Sequence, residues 1–238
     1  MQSATQLSDE QKYSMSWGQF ISSVLFAFFG TGLITLFLAI MPLTIYTAGL
    51  TNKKQIALYE SIANTASIGL QLAVLLFFIF KFEPAKKLLL QSFNFTALKK
   101  WRTYVYLLLF FVINIALNHI LLKYVFQDAT KQQASALNLD VFEQYQVLLL
   151  ISFAILTPIF EELIFRGFLL HFFSERFPFW IAAVLTSFFF GIAHTYSPGV
   201  TVITFFTGLL MAILCKKTKS IIPAMLFHIM NNMLAFLG

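Results

Sequence analysis

The chain has 238 residues, 59% of them hydrophobic and 11% charged, with 30 phenylalanines and one cysteine. Soluble domains carry about 25% charged residues, so this composition excludes a water-soluble globular protein, and a lone cysteine excludes an intrachain disulfide and a cysteine-based metal site. The net charge of +6 fits basic loops facing an anionic membrane leaflet better than a nucleic-acid partner.

Residues 1–18 form a polar N-terminal segment with neither a basic n-region nor a small-residue cleavage site, so no cleaved signal peptide is expected. Spanning helices need about 20 apolar residues. Candidates run over 20–45 (with a break expected near Pro42), 62–80, 104–124, 147–173, 179–196, 200–214 and 221–237. The segment 134–146 reads as an interfacial helix. The expected fold is therefore all-α, a polytopic transmembrane helix bundle of seven spans, or eight if 134–146 also crosses. Residues 19–144 form its N-terminal helices and 145–238 the part that carries chemistry. Lys81, Lys86, Lys87, Lys99, Lys100 and Arg102 make 81–102 a basic loop. With Arg176 and Lys216, Lys217 and Lys219 on the same side, that side is cytoplasmic and the N-terminus with it. The stretch 84–101 reads as a basic amphipathic helix lying on the inner surface of the cell membrane, against its lipids.

Ionisable side chains inside apolar helices cost about 2.5–3.5 kcal/mol each on insertion scales and mark functional sites by default. Three spans carry them. In the fourth, Glu162 and Arg166 stand four apart and face each other, so they can neutralise one another as a structural clamp. Glu161 points about 100° away, has no partner on its own helix, and is the candidate general base. In the fifth, Phe190 and His194 share a face four apart, and Gly191 permits a close backbone approach. In the seventh, His228 and Asn232 share a face and can both donate hydrogen bonds, which suits an oxyanion site. Asn231 points elsewhere. His171 and His119 have no assigned role. With straight, upright helices, Glu161, His194 and His228 lie at different depths, so tilt or shifted helix ends must bring them together.

Glu-Glu-x-x-x-Arg, Phe-x-x-x-His and His-x-x-x-Asn, in this order on successive hydrophobic helices, resemble the CAAX protease and bacteriocin-processing (Abi) family, which includes the Ras-converting CAAX endoprotease. The resemblance covers about residues 145–238. It implies an intramembrane endopeptidase in which Glu161 and His194 activate water, His228 and Asn232 stabilise the oxyanion, Glu162 and Arg166 hold the glutamate helix, and Phe190 lines the site. The implied substrate is a hydrophobic or lipid-anchored peptide or protein. Bacterial relatives look like bacteriocin self-immunity factors or processors of secreted peptides and pheromones. The family is often called metal-dependent, and Glu161, His194 and His228 are the set that would hold zinc. Asn is a poor zinc ligand and His-Glu-x-x-His is missing, so water activated without a metal cofactor is the preferred reading.

The competing readings are a non-catalytic immunity or peptide-binding membrane protein and a proton-coupled transporter. Glu161→Gln separates them, because hydrolysis needs an ionised carboxylate there and binding does not. Nothing in the chain speaks to its oligomeric state.

Overall fold

The computed structural model describes residues 13–136 and 145–237, which form nine helices and no strand among the described residues. They are α1 (Trp17–Thr47), α2 (Lys53–Lys81), α3 (Glu83–Leu90), α4 (Trp101–Tyr124), α5 (Ala129–Ala136), α6 (Gln146–Ser174), α7 (Phe179–Ile192), α8 (Pro198–Thr218) and α9 (Ile222–Leu237). Five of them, α1, α2, α4, α6 and α8, are long and apolar enough to cross a membrane, and α7 and α9 are shorter apolar helices. The chain is thus an all-α, multi-pass membrane bundle. Its surface is inverted relative to a soluble protein. Phe29 is 67% exposed and Leu108 61%, while Glu162 is 0% and Arg166 1% exposed. Apolar side chains ringing a polar interior require a non-aqueous surround.

Helix ends differ from the sequence expectation where local chemistry overrides hydropathy. No break occurs at Pro42, and α1 runs through it. The turn before it, Leu36–Ile40, widens to π-helix, and the Met41 N–H bonds Leu36 O, five residues back. In that register the missing proline N–H leaves one carbonyl without a backbone donor. Helix α7 stops at Ile192, so His194 sits in the following turn and not on the helix. Helix α8 is longer than the apolar run 200–214. Ser197 caps its start, accepting from the Val200 N–H, and its far end extends through Lys216, whose ammonium lies 4.1 Å from the Phe179 ring. That lysine keeps its stem on the apolar surface, so hydropathy alone ends the helix too early.

The segment 84–101 is not one surface helix. Helix α3 turns Leu88 and Leu89 into the protein, and a 3-10 turn at Phe95–Lys99 follows. Gly167 of α6 admits this packing, since a Cβ there would run into the end of the Leu89 side chain. The expected element at 134–146 falls largely outside the described residues. Helix α5, just before it, was not anticipated, because its sequence ATKQQASA is polar and short.

The core lies among α6, α7, α8 and α9, with α4 packed on α8 and α9. Where α7 meets α8, a Cβ on Gly191 would stand 2.8 Å from the Thr201 carbonyl. This approach carries the turn with His194 in toward α6.

Candidate active site

Helix α6 is built in alternating registers. Leu150–Leu156 is π-helical, Thr157–Glu162 α-helical, and Leu163–Leu169 π-helical again. Pro158 explains the first change. The Thr157 N–H bonds Ser152 O, five residues back. The next carbonyl in this register, Phe153 O, falls to Pro158, which has no N–H. The Asn232 amide of α9 takes it instead, Nδ2 to Phe153 O at 2.9 Å. A buried carbonyl left unpaired costs about 1–3 kcal/mol, so this bond ties α9 to the glutamate turn.

One turn further on, the glutamates diverge. Glu162 Oε1 accepts from Arg166 Nη1 at 2.6 Å, with both side chains buried. Arg166 Nη2 also donates to Gly208 O of α8 at 3.2 Å, and its guanidinium lies 4.3 Å from the centre of the Phe190 ring. Glu162 Oε1 lies 3.0 Å from His228 Nδ1 as well. The carboxylate therefore balances the arginine charge and, accepting from Nδ1–H, sets the tautomer of His228.

Glu161 sits between two imidazoles. His194 Nε2 is 3.6 Å from its Oε1, and His228 Nε2 is 3.6 Å from its Oε2. These gaps are too long for direct hydrogen bonds and short enough for one water to touch both partners. His194 Nδ1 lies 2.8 Å from Phe190 O. A carbonyl only accepts, so Nδ1 carries the proton and a neutral His194 offers an acceptor at Nε2. The Phe190 ring packs edge-on to both imidazoles, at 4.8 Å from His194 and 5.6 Å from His228.

These groups open into a cavity of about 440 Å³, walled by α4, α5, α6, α7, α8 and α9 and by the turn after α7. Glu161, Phe190, His194, His228 and Asn232 all line it, while Glu162 and Arg166 lie behind the wall. Tyr196 also lines it. Asn231 takes part too, bonded to Asn232 and to the buried Asn114 of α4. Helical spacing hides Asn231, because its partners lie on other helices. His171 Nδ1 contacts Arg166 O at 2.8 Å, outside the cavity.

Glu161, His194 and His228 have the donor chemistry of a zinc site. Among the described residues, however, no group of three or more His, Cys, Asp or Glu side chains is placed to hold an ion. The two imidazoles face different oxygens of the one Glu161 carboxylate, each at 3.6 Å.

Residues 143–234 match the family described as type II CAAX prenyl endopeptidase, Rce1-like. No curated protein and no solved structure matches the chain.

Proposed function

We propose that the chain, whose residues 143–234 match the type II CAAX prenyl endopeptidase, Rce1-like family, is an endopeptidase of that kind and hydrolyses a peptide bond within the membrane by a glutamate- and histidine-activated water. The observation that carries this reading is the convergence of His194 Nε2 and His228 Nε2 on the two oxygens of Glu161, each at 3.6 Å, at the wall of a cavity.

A water held between Glu161 and His194 gives up a proton to them as its oxygen attacks the scissile carbonyl. General-base assistance of this kind is worth about 10²–10⁴ in rate. Negative charge then develops on the carbonyl oxygen. Asn232 has a second amide N–H to offer it, and Glu162 holds the His228 ring by Nδ1 with its Nε2 toward Glu161. A single oxyanion donor contributes about 10²–10³. The C–N bond breaks as Glu161 or His194 returns the proton to the leaving nitrogen. No step passes through a metal, so a chelator is expected to leave activity intact.

The substrate in this reading is a hydrophobic or lipid-anchored segment entering from the bilayer. A cavity of about 440 Å³ takes a short stretch of chain and not a folded domain. Peptide maturation and bacteriocin self-immunity are the roles this chemistry would serve.

The test compares membrane and secreted peptides by mass spectrometry from cells expressing wild type or Glu161→Gln at equal levels. Products found only with the wild type support the endopeptidase. Identical peptide sets, with the variant retaining the wild-type phenotype, would instead favour a binding or immunity protein.

A further inference from the structure

Four side chains from three helices form a continuous hydrogen-bonded relay that ends beside the cavity. Thr207 Oγ1 of α8 contacts Asn114 Oδ1 of α4 at 2.8 Å. Asn114 Nδ2 contacts Asn231 Oδ1 of α9 at 2.8 Å. Asn231 Nδ2 lies 3.4 Å from Asn232 Oδ1, and Asn232 Nδ2 reaches Phe153 O of α6 at 2.9 Å. Asn114 and Thr207 are buried.

An amide side chain can point either way round, so in isolation each link is ambiguous. The last acceptor removes the ambiguity for the whole relay. Phe153 O is a backbone carbonyl and can only accept, and Pro158 supplies no competing N–H. Asn232 must therefore turn its nitrogen to Phe153 and its oxygen to Asn231. Asn231 must then donate to Asn232 and accept from Asn114. Asn114 in turn must accept from the Thr207 hydroxyl, the terminal donor. Every link has one permitted direction. Asn232 lines the cavity, and with its oxygen engaged, the second N–H of its amide is the polar group left for a bound substrate.

We infer that Thr207, Asn114 and Asn231 are positioning residues that lock the Asn232 amide as a hydrogen-bond donor toward the reacting carbonyl. The catalytic consequence rests on the endopeptidase reading; the lock itself does not. Without the relay, Asn232 keeps its bond to Phe153 O but loses the hold on its oxygen, so the amide can swing about that bond and carry its second N–H away from the reacting carbonyl.

The experiment uses full-length protein and the pair Thr207→Val and Thr207→Ser. Valine matches threonine in shape but lacks the donor; serine keeps it. In the peptide comparison above, Thr207→Val is expected to reduce Glu161-dependent products by about tenfold, less than the roughly 10²–10³-fold loss of an oxyanion donor removed outright, because the Asn232 amide is loosened and not deleted. The set of products stays the same, and the purified variant folds but melts below the wild type, because Asn114 Oδ1 is left without its donor, so yields are compared per folded protein. Thr207→Ser restores the yield to within about twofold, since the donor is back. Wild-type yield from Thr207→Val, or an equal loss from Thr207→Ser, overturns the inference. A second readout needs no activity. In asparagine-labelled protein, the Asn232 side-chain amide resonance, assigned by its loss in Asn232→Ala, is expected to shift in Thr207→Val and not in Thr207→Ser. An unmoved resonance also overturns the inference. Wild-type cells that yield no Glu161-dependent product would defeat the endopeptidase reading, while the resonance would still decide whether the relay holds Asn232.

Discussion

Asn232 hydrogen-bonds the carbonyl of Phe153, the one that Pro158 leaves without a backbone donor. A residue expected from its motif only to face the substrate thus also repairs the main chain of the helix that carries the glutamates. Asn232→Ala should cost about 1–3 kcal/mol by orphaning that carbonyl. Pro158→Ala restores an N–H at the position that needs one. In the double variant the two effects should couple by about 1 kcal/mol, within the range seen for residues sharing a partner. Stability recovers while activity does not, because the oxyanion donor is still missing. Thermal melts of the four proteins in detergent give the coupling directly, and simple additivity would contradict the proposed partnership.

The two adjacent glutamates should fail in different ways. Glu162 is fully buried and accepts from both Arg166 and His228, so Glu162→Gln strands a buried guanidinium. Removing one partner of such a pair costs about 3–5 kcal/mol, and little folded protein is expected. Glu161 makes no direct hydrogen bond to either histidine. Glu161→Gln should melt with the wild type and yield no product. Arg166→Lys should not rescue the pair, because an ammonium lacks the planar fork that serves Glu162 and Gly208 O together. Melting midpoint plotted against product yield separates the two phenotypes.

The bundle was legible because a membrane imposes one rule, that backbone groups be satisfied within helices, and long apolar runs reveal where. The turns that shape the site were not. The proline in the first apolar run reads as a break, yet the helix continues through Pro42, as it does through Pro158 in the fourth span, because a π-turn is as apolar as an α-turn. His194 read as helical, and its place beyond the end of α7 is what lets it meet Glu161 despite the mismatch in depth that straight helices imply. The Glu162–Arg166 spacing is a local pattern and shows in sequence. The bonds from Glu162 to His228 and from Asn231 to Asn114 join separate helices, and no period in one chain reports them.

Gly191 sets how closely α7 approaches α8. A Cβ there meets the Thr201 carbonyl at 2.8 Å and Phe205 Cβ at 3.2 Å, and backbone cannot rotate aside as a side chain does. Gly191→Ala should push the helices apart and carry His194, three residues on, away from Glu161. A displacement near 1 Å can cost about 10²-fold in rate. Gly69→Ala is the matched control, since the nearest atom to its Cβ is Leu156 at 4.0 Å. Product yields from the two variants, normalised to folded protein, should differ by at least about tenfold on the same ground.

The direction of each helix puts the cavity at one end of the bundle. Its walls use the last turns of α4 and α9, the first half of α8 and the turn after α7, together with α5. The opposite end gathers Lys81, Lys86, Lys87, Lys99, Lys100, Arg102, Arg176, Lys216, Lys217 and Lys219, where the Ile221 N–H bonds Ser92 O between neighbouring loops. The cavity end has Lys53, Lys54, Lys123 and Lys131 among the described residues. Positive loops stay cytoplasmic, so the cavity should lie in the outer half of the bilayer, and its substrates should arrive from that leaflet or after export. A membrane-impermeant maleimide on intact cells tests this. Cys215 is buried and contributes little background. Lys131→Cys, at the cavity end, should label in intact cells, whereas Lys100→Cys should label only after permeabilisation. The reverse pattern would turn the molecule over and make the site's substrates cytoplasmic.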